Sequence, residues 1–527
     1  MRRTRKQCFS LEALESRLPL AGDVTVAITG GNLVVTGDAQ SNIVFIWQDS
    51  TSGDWMVTGG RRVDAINFPA SETTINGSLV PQAFSSATLD LIIDLGAQND
   101  YLDISQAVVA GNTSIDFGDG KGEGTLTEGT ILDPSPDYEL NDGTAPIRGD
   151  LEFNGNLSVT AGNVQNNLYI EAGAGVAGDF SYHGGTGTDF VRLMGTGTWN
   201  VTGELFLDLG GGDNRFNEDP RDLAIGGNVT VLSTENSNGL GGAFFTNAII
   251  QGDLTVTAGD GEFYVRLINM QADDIVVSLG GDEDIIDSDG VTDDSVNFDL
   301  GLGHDRDSHF KNYTITNGFV LLTGAGDDVA PLETITAASI SVDMGGDNDA
   351  CTAFGLIAPL VQFDMGIDTV LNVLGVYGVQ ATTLTITTGN GAEGNGQYFG
   401  IVVGSSTITG TLSINSGGGL DNLLLGSVVA ANVQINSGAQ SDGVIVLYCD
   451  LDSVTIETGG DLDVVGCHDS VFDDLDVMLG DTFDELWLGN LTVNVTTQLN
   501  GEADGGELHE SGTNNLGSLT SNLTPFV

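Results

Sequence analysis

The chain has 527 residues, 40% of them apolar and 17% charged, with 76 glycines and a formal net charge of −59. The apolar share excludes a disordered chain, and glycine well above the usual ~7% marks a chain that turns often. The negative charge excludes phosphate backbones and anionic lipid as partners, and with no run of about 18 apolar residues nothing here spans a bilayer as a helix.

Residues 1–22, MRRTRKQCFSLEALESRLPLAG, collect Arg2, Arg3, Arg5, Lys6 and Arg17 but lack the apolar h-region of an ordinary signal peptide. Read alone, they are a basic tail or short helix. Leu14, Glu15, Arg17, Leu18 and Leu20 stand where the LEPR-XLL sorting motif has its residues, with Ser16 replacing the motif's Pro and Pro19 interrupting its apolar end. The stretch resembles that N-terminal motif of large repetitive planctomycete proteins. The resemblance implies export to a secreted or cell-surface location and says nothing about activity.

Residues 23–95 alternate apolar and polar side chains in short runs (VTVAI, NLVVTG, NIVFIW, WMVTG, LDLIIDL) and hold Trp47 and Trp55. A solenoid must cover its open first coil, so this region reads as an N-terminal β cap plus first coils. Between Gly118 and Gly162 the rhythm breaks at Asp119, Lys121, Glu123, Pro134, Pro136 and Pro146. Either two coils lie here or one coil carries a long loop, and the prolines favour the loop.

The repeat is plainest near its end, where Gly417, Gly438, Gly459, Gly480 and Gly501 recur every 21 residues. Each of the first four is followed four residues later by Asp421, Asp442, Asp463 or Asp484, and then by alternating apolar residues such as Leu423 and Leu425. Strand periodicity inside a fixed period near 20 marks a solenoid. The same glycine recurs at Gly389, Gly366, Gly345, Gly324, Gly301 and Gly280 and, more loosely, back to Gly96, while GNL, GEL and GDL triplets mark a second corner. Two glycine corners and a looser third link give about three short strands per coil. The expected fold is all-β, a right-handed parallel β-helix or β-solenoid of about 18–19 coils of 21–25 residues with an N-terminal β cap. Its regions are 1–22 (basic leader), 23–95 (cap and first coils), 96–501 (solenoid, with the insertion near 119–148) and 502–527 (a C-terminal cap or loose tail).

The acid four residues after the turn glycine recurs at Asp100, Asp189, Asp284, Asp305, Asp328 and Asp349, with Asn214 in the place after Gly210. Further acids flank the turn, with Asp94, Asp116, Asp208, Asp299, Asp343 and Asp364 before the glycine and Asp282, Asp347 and Asp461 after it. Gly184, Gly185, Gly187, Asp189 and Val191 match the nonapeptide of the repeats-in-toxin β-roll, which the turn resembles. That family repeats every nine residues, so its ion cage does not carry over whole. The resemblance implies a calcium ladder at Asp189, Asp284, Asp305, Asp328, Asp349, Asp421, Asp442, Asp463 and Asp484. Equivalent residues on neighbouring coils lie about 4.8 Å apart, which leaves room for Ca2+ between two carboxylates. The same residues serve equally as caps on backbone N–H groups.

Cys8, Cys351, Cys449 and Cys467 form no paired or metal-binding spacing, and Cys351 and Cys467 fall in apolar columns. The densest cluster of catalytic residue types is His304, Asp305, Arg306, Asp307 and His309. Strand alternation would bring Asp305, Asp307 and His309 together as a metal triplet, although an ordinary decorated turn accounts for them. Arg192 and Arg266 share the triplet VRL but stand about three coils, or ~14 Å, apart. Arg148, Gly149 and Asp150 spell an adhesion tripeptide that the Gly-Asp-Leu corner already explains. The pattern therefore points to an exported, non-catalytic surface or matrix rod facing extracellular polysaccharide or cell-envelope components. The alternatives are a polysaccharide lyase or glycosidase, which needs Arg or His opposite Asp in a groove, and a carbohydrate-binding adhesin, which needs a row of exposed aromatics.

Overall fold

A computed structural model describes residues 22–62, 72–85, 89–120, 122–127, 138–140, 151–171, 174–194, 197–217, 222–235, 241–366, 372–389, 400–501 and 506–525. Residues 1–21 of the basic leader, Cys8 among them, the three prolines of the insertion and the Arg148–Asp150 tripeptide lie outside them.

The chain is all-β, with parallel strands stacked coil on coil in about 17 turns. A 22-stranded sheet forms the first face and a second long sheet the opposite one. A third, six-stranded sheet joins Ala107–Val109, Leu151–Phe153, Gly175–Val176, Thr198–Val201, Asp222–Ile225 and Ala248–Ile250. Beyond Ile250 the third face thins to single bridges through Gln271, Thr292, Ile357 and Gln380. Its residues then merge into long first-face strands such as Thr407–Asn415, where a register shift between Ile408 and Thr411 marks the old corner.

The insertion lies within one coil, as its prolines lead us to expect. Thr113–Asp116 pairs directly with Leu157–Thr160, while Gly122–Thr127 and Leu151–Phe153 keep their places in the second and third sheets, so the excursion runs between Thr127 and Leu151. Part of that excursion, Tyr138–Leu140, pairs antiparallel with Trp55–Arg62. Other antiparallel pairings among the described residues lie at the N-terminal end: Asp23–Thr29 with Asn32–Thr36, and Trp55–Arg62 with both Ile43–Gln48 and Gln82–Phe84. These hairpins cover the first coil. At the other end Glu507–Ser511 and Ser518–Ser521 continue the parallel stack.

One apolar core runs the length of the rod, because every second strand residue points inward and each coil alone has almost nothing to bury it against. Large rings fill parts of it, as in the edge-on Phe180–Trp199 pair and the cluster of Phe298, Phe310, Tyr313 and Phe319. Cys351 and Cys467 are fully buried in this core, and burial pushes the Cys467 thiol up to about 12.

Candidate functional site: the inward carboxylate column

The turn glycine is needed on two counts. Gly324, Gly345, Gly417, Gly438 and Gly459 have φ between +79° and +89°, where a Cβ is costly. A Cβ on Gly438 would also sit 1.3 Å from the carbonyl oxygen of Gly417 one coil back. The flanking acids serve the same turn. Asp94, Asp116, Asp208, Asp299, Asp343 and Asp364 each accept the N–H of the glycine two residues on, at 2.8–3.2 Å. Asp282, Asp347 and Asp461 themselves adopt positive φ.

The acid four residues after the glycine turns inward. Asp189, Asp284, Asp305, Asp328, Asp463 and Asp484 have no accessible surface, and Asp349, Asp421 and Asp442 almost none. Oδ1 of each coil accepts the main-chain N–H of its counterpart one coil earlier. Asp284 donates to Asp305 at 2.7 Å, Asp305 to Asp328 at 2.9 Å and Asp328 to Asp349 at 3.0 Å. Asp421, Asp442 and Asp463 donate in turn to Asp442, Asp463 and Asp484 at 3.0, 2.8 and 2.9 Å. The column thus continues the sheet ladder with side chains at a corner where main-chain pairing stops. These bonds are the N–H contacts expected of capping acids, made from coil to coil.

Four coils among the described residues use Asn instead, at Asn42, Asn166, Asn214 and Asn372, and the amide also closes its own turn. Asn166 donates Nδ2 to the carbonyls of Gly162 and Val164 and to Asp189 Oδ1, Asn214 to Gly210 and Asn372 to Met365. A carboxylate has no such donor. Oδ2 of Asp284 and Asp305 is buried without a hydrogen-bond partner. Oδ2 of Asp328, Asp442 and Asp463 is likewise buried without a partner, and the hydroxyl five residues back, on Thr323, Ser437 or Thr458, only offsets part of the upward pKa shift that burial causes. Burial, then repulsion from adjoining acids, pushes Asp284 and Asp442 up to about 8 and Asp305 and Asp463 to about 7. Burial alone carries Asp189 to about 7. The hydroxyl column escaped the sequence reading because Leu, Met and Phe fill the same place in other coils, as at Leu300, Met344 and Phe117.

The catalytic candidates do not converge. Asp305 and Ser308 are buried while Asp307 and His309 are exposed, since residues 303–308 form an irregular turn rather than an alternating strand. His304 Nδ1 accepts the N–H of Asp327, Arg306 pairs with the Asp327 carboxylate at 3.1 Å, and His309 Nδ1 meets the carbonyl of Asp307. Among the described residues, no three His, Cys, Asp or Glu side chains gather as a metal site. Arg192 and Arg266 lie in register three coils apart, Arg192 against the Phe190 ring and Arg266 paired with Asp287. Exposed rings do occur on the second sheet, at Phe354 and Trp487.

No family model matches the chain, and neither a curated protein nor a solved structure shows significant similarity to it.

Proposed function

We propose that the protein is an exported, non-catalytic rod of the cell surface or surrounding matrix, presenting its acidic sides to envelope polysaccharide. The observation that carries this reading is the use made of the polar residues that recur in every coil. The inward aspartates hold coil to coil, the flanking aspartates cap turns, and His304 and Arg306 tie one coil to the next. A stack built this way is a stiff spacer whose length scales with coil number. Cell fractionation of the full chain, with and without residues 1–22, tests the location. Leader-dependent appearance at the surface or in the medium is expected, and retention of both forms in the cytoplasm would sink the proposal.

A further inference from the structure

The outward face of the second sheet changes character over Val373–Tyr377, Ile401–Gly404, Asn422–Gly426, Gly443–Leu447 and Val464–His468. None of its outward residues there is Asp, Glu, Lys or Arg, in a chain with 74 acids. Val373, Val464 and, on the next strand, Trp487 are about two-fifths exposed. Glycines flatten the surface. The Tyr377 ring lies where Cβ atoms of Gly375 and Gly404 would stand, and His468 lies against Gly489, while Gly426 is open. A flat, uncharged, apolar sheet face on so acidic a rod is a place for contact.

We propose that this face binds a second copy of the chain, with the two rods antiparallel. The two-fold axis lies in the plane of the face, along the strands, midway between Asn422–Gly426 and Gly443–Leu447. The in-register columns decide this. Such an axis lays Ile401–Gly404 on the partner's Val464–His468 and Val373–Tyr377 on the partner's Glu485–Gly489. Leu447 then lies over the partner's open Gly426 and Val402 over its Gly466, while Trp487 and His468 meet the partner's Tyr377 ring, which covers Gly375 and Gly404. At the centre Leu424 meets the partner's Ile445. This is the self-complementarity that an isologous contact requires.

Size and charge agree with that occupant. Six strands at about 4.8 Å and five residues at about 3.3 Å give a patch of roughly 500 Å² per copy, or about 1,000 Å² in all, where specific association begins. Copies carrying −59 each can approach only through a face this poor in charge, where Glu485 on the outermost strand is the one acid and accepts the Trp487 indole N–H. Association should therefore strengthen with salt, which screens the flanks and leaves the apolar contact intact.

The test is sedimentation velocity of the full chain over a concentration series at about 0.1 M and about 1 M salt, where the Debye length falls from about 10 to about 3 Å. A dimer whose dissociation constant tightens at least tenfold at high salt is expected. Leu424→Lys alone and Ile445→Glu alone should each be monomeric. An equimolar mixture should dimerise again, because one Leu424–Ile445 contact becomes a Lys–Glu pair and the other is kept. That rescue also shows that both variants are folded. A monomer under all conditions, or dimers unaffected by the substitutions, would overturn the proposal. Retention of the monomer on an insoluble uncharged glycan, lost in Ile445→Glu, would overturn it in favour of a glycan.

Discussion

In the coils of residues 151–250 the chain turns three corners, and equivalent positions stand 23 to 25 residues apart; in those of residues 401–501 the spacing falls to 21. The longer coils give the third face strands of its own. They tie the corner before the first face with a second, exposed side-chain ladder, in which Asp179 and Glu204 donate N–H groups to Asn156 and Asp179, and Asp253 to Asn228, each at 3.0 Å. The shorter coils fold that corner into one long bulged strand. There the inward column consists of Asp421, Asp442, Asp463 and Asp484, where the longer coils alternate Asn166, Asp189 and Asn214. Shortening the coil thus concentrates buried acid, and the two regions should answer differently to substitution and to pH.

The largest difference lies at the turn both regions share. Gly438→Ala places a Cβ against the Gly417 carbonyl at φ +85°, and neither strand can yield without breaking the stack. A loss above about 4 kcal/mol is expected in urea unfolding, in the range reserved for severe single substitutions. Gly426→Ala, with nothing within 4 Å of its Cβ, should stay within about 1 kcal/mol.

Next in size is the inward column, where exchanging residues between the regions exchanges their behaviour. Asp442→Ala leaves the Asp421 N–H without its acceptor, at a cost of about 1–3 kcal/mol. Asp442→Asn keeps an acceptor and adds the donor that Asn166 and Asn214 use. Asp442 has its folded pKa raised to about 8 from 3.8. Its contribution is therefore fully present below the unfolded value and is lost as pH rises through about 8. Unfolding at pH ~6 should release protons from this column, and Asp442→Asn should release one fewer. Asn214→Asp should add one in the longer coils. Potentiometric counting across the unfolding transition checks both, and an unchanged count in either variant would contradict the assignment.

The period and the parallel fold were legible because glycine at a crowded corner and alternation in a strand leave strong marks. The role of the acids was legible only as a choice between an ion ladder and caps on backbone N–H groups. A 21-residue spacing places Asp442 beside Asp463, but whether the side chains face out toward an ion or inward to an N–H depends on the turn's φ/ψ values. The triplet Asp305, Asp307 and His309 separates for a similar reason, since alternation does not run across an irregular turn, which leaves the decorated turn as the reading that fits. Magnesium and calcium sharpen the point. With Oδ1 of Asp442 and Asp463 holding main-chain N–H groups, both cations should raise the thermal midpoint alike at matched ionic strength, by screening exposed acids. A rise specific to calcium would assign a cage to the turn.

The smallest expected effect is at a corner that the glycine pattern does not mark. After each second-face strand one residue adopts the left-handed region. In the longer coils it is Asn217 and Asn247, followed by Asn269, with φ between 48° and 54°; in the shorter ones it is Ser405, Ser427, Tyr448 and Asp469, with asparagine returning at Asn490. Asn tolerates this region better than Ser or Tyr and can bond to its counterpart, as Asn269 Nδ2 does to Asn247 and Asn490 Nδ2 to Asp469. Tyr448 is 66% exposed, so its ring contributes little burial. Tyr448→Asn should therefore stabilise by about 0.5–1 kcal/mol, read as a higher urea midpoint at unchanged slope. The reverse exchange, Asn247→Tyr, should destabilise by a similar or larger amount, because it also removes the 2.8 Å bond to Asp222. If both exchanges were neutral, the left-handed corner would impose no strain, and the asparagines of the longer coils would owe their place to hydrogen bonding alone.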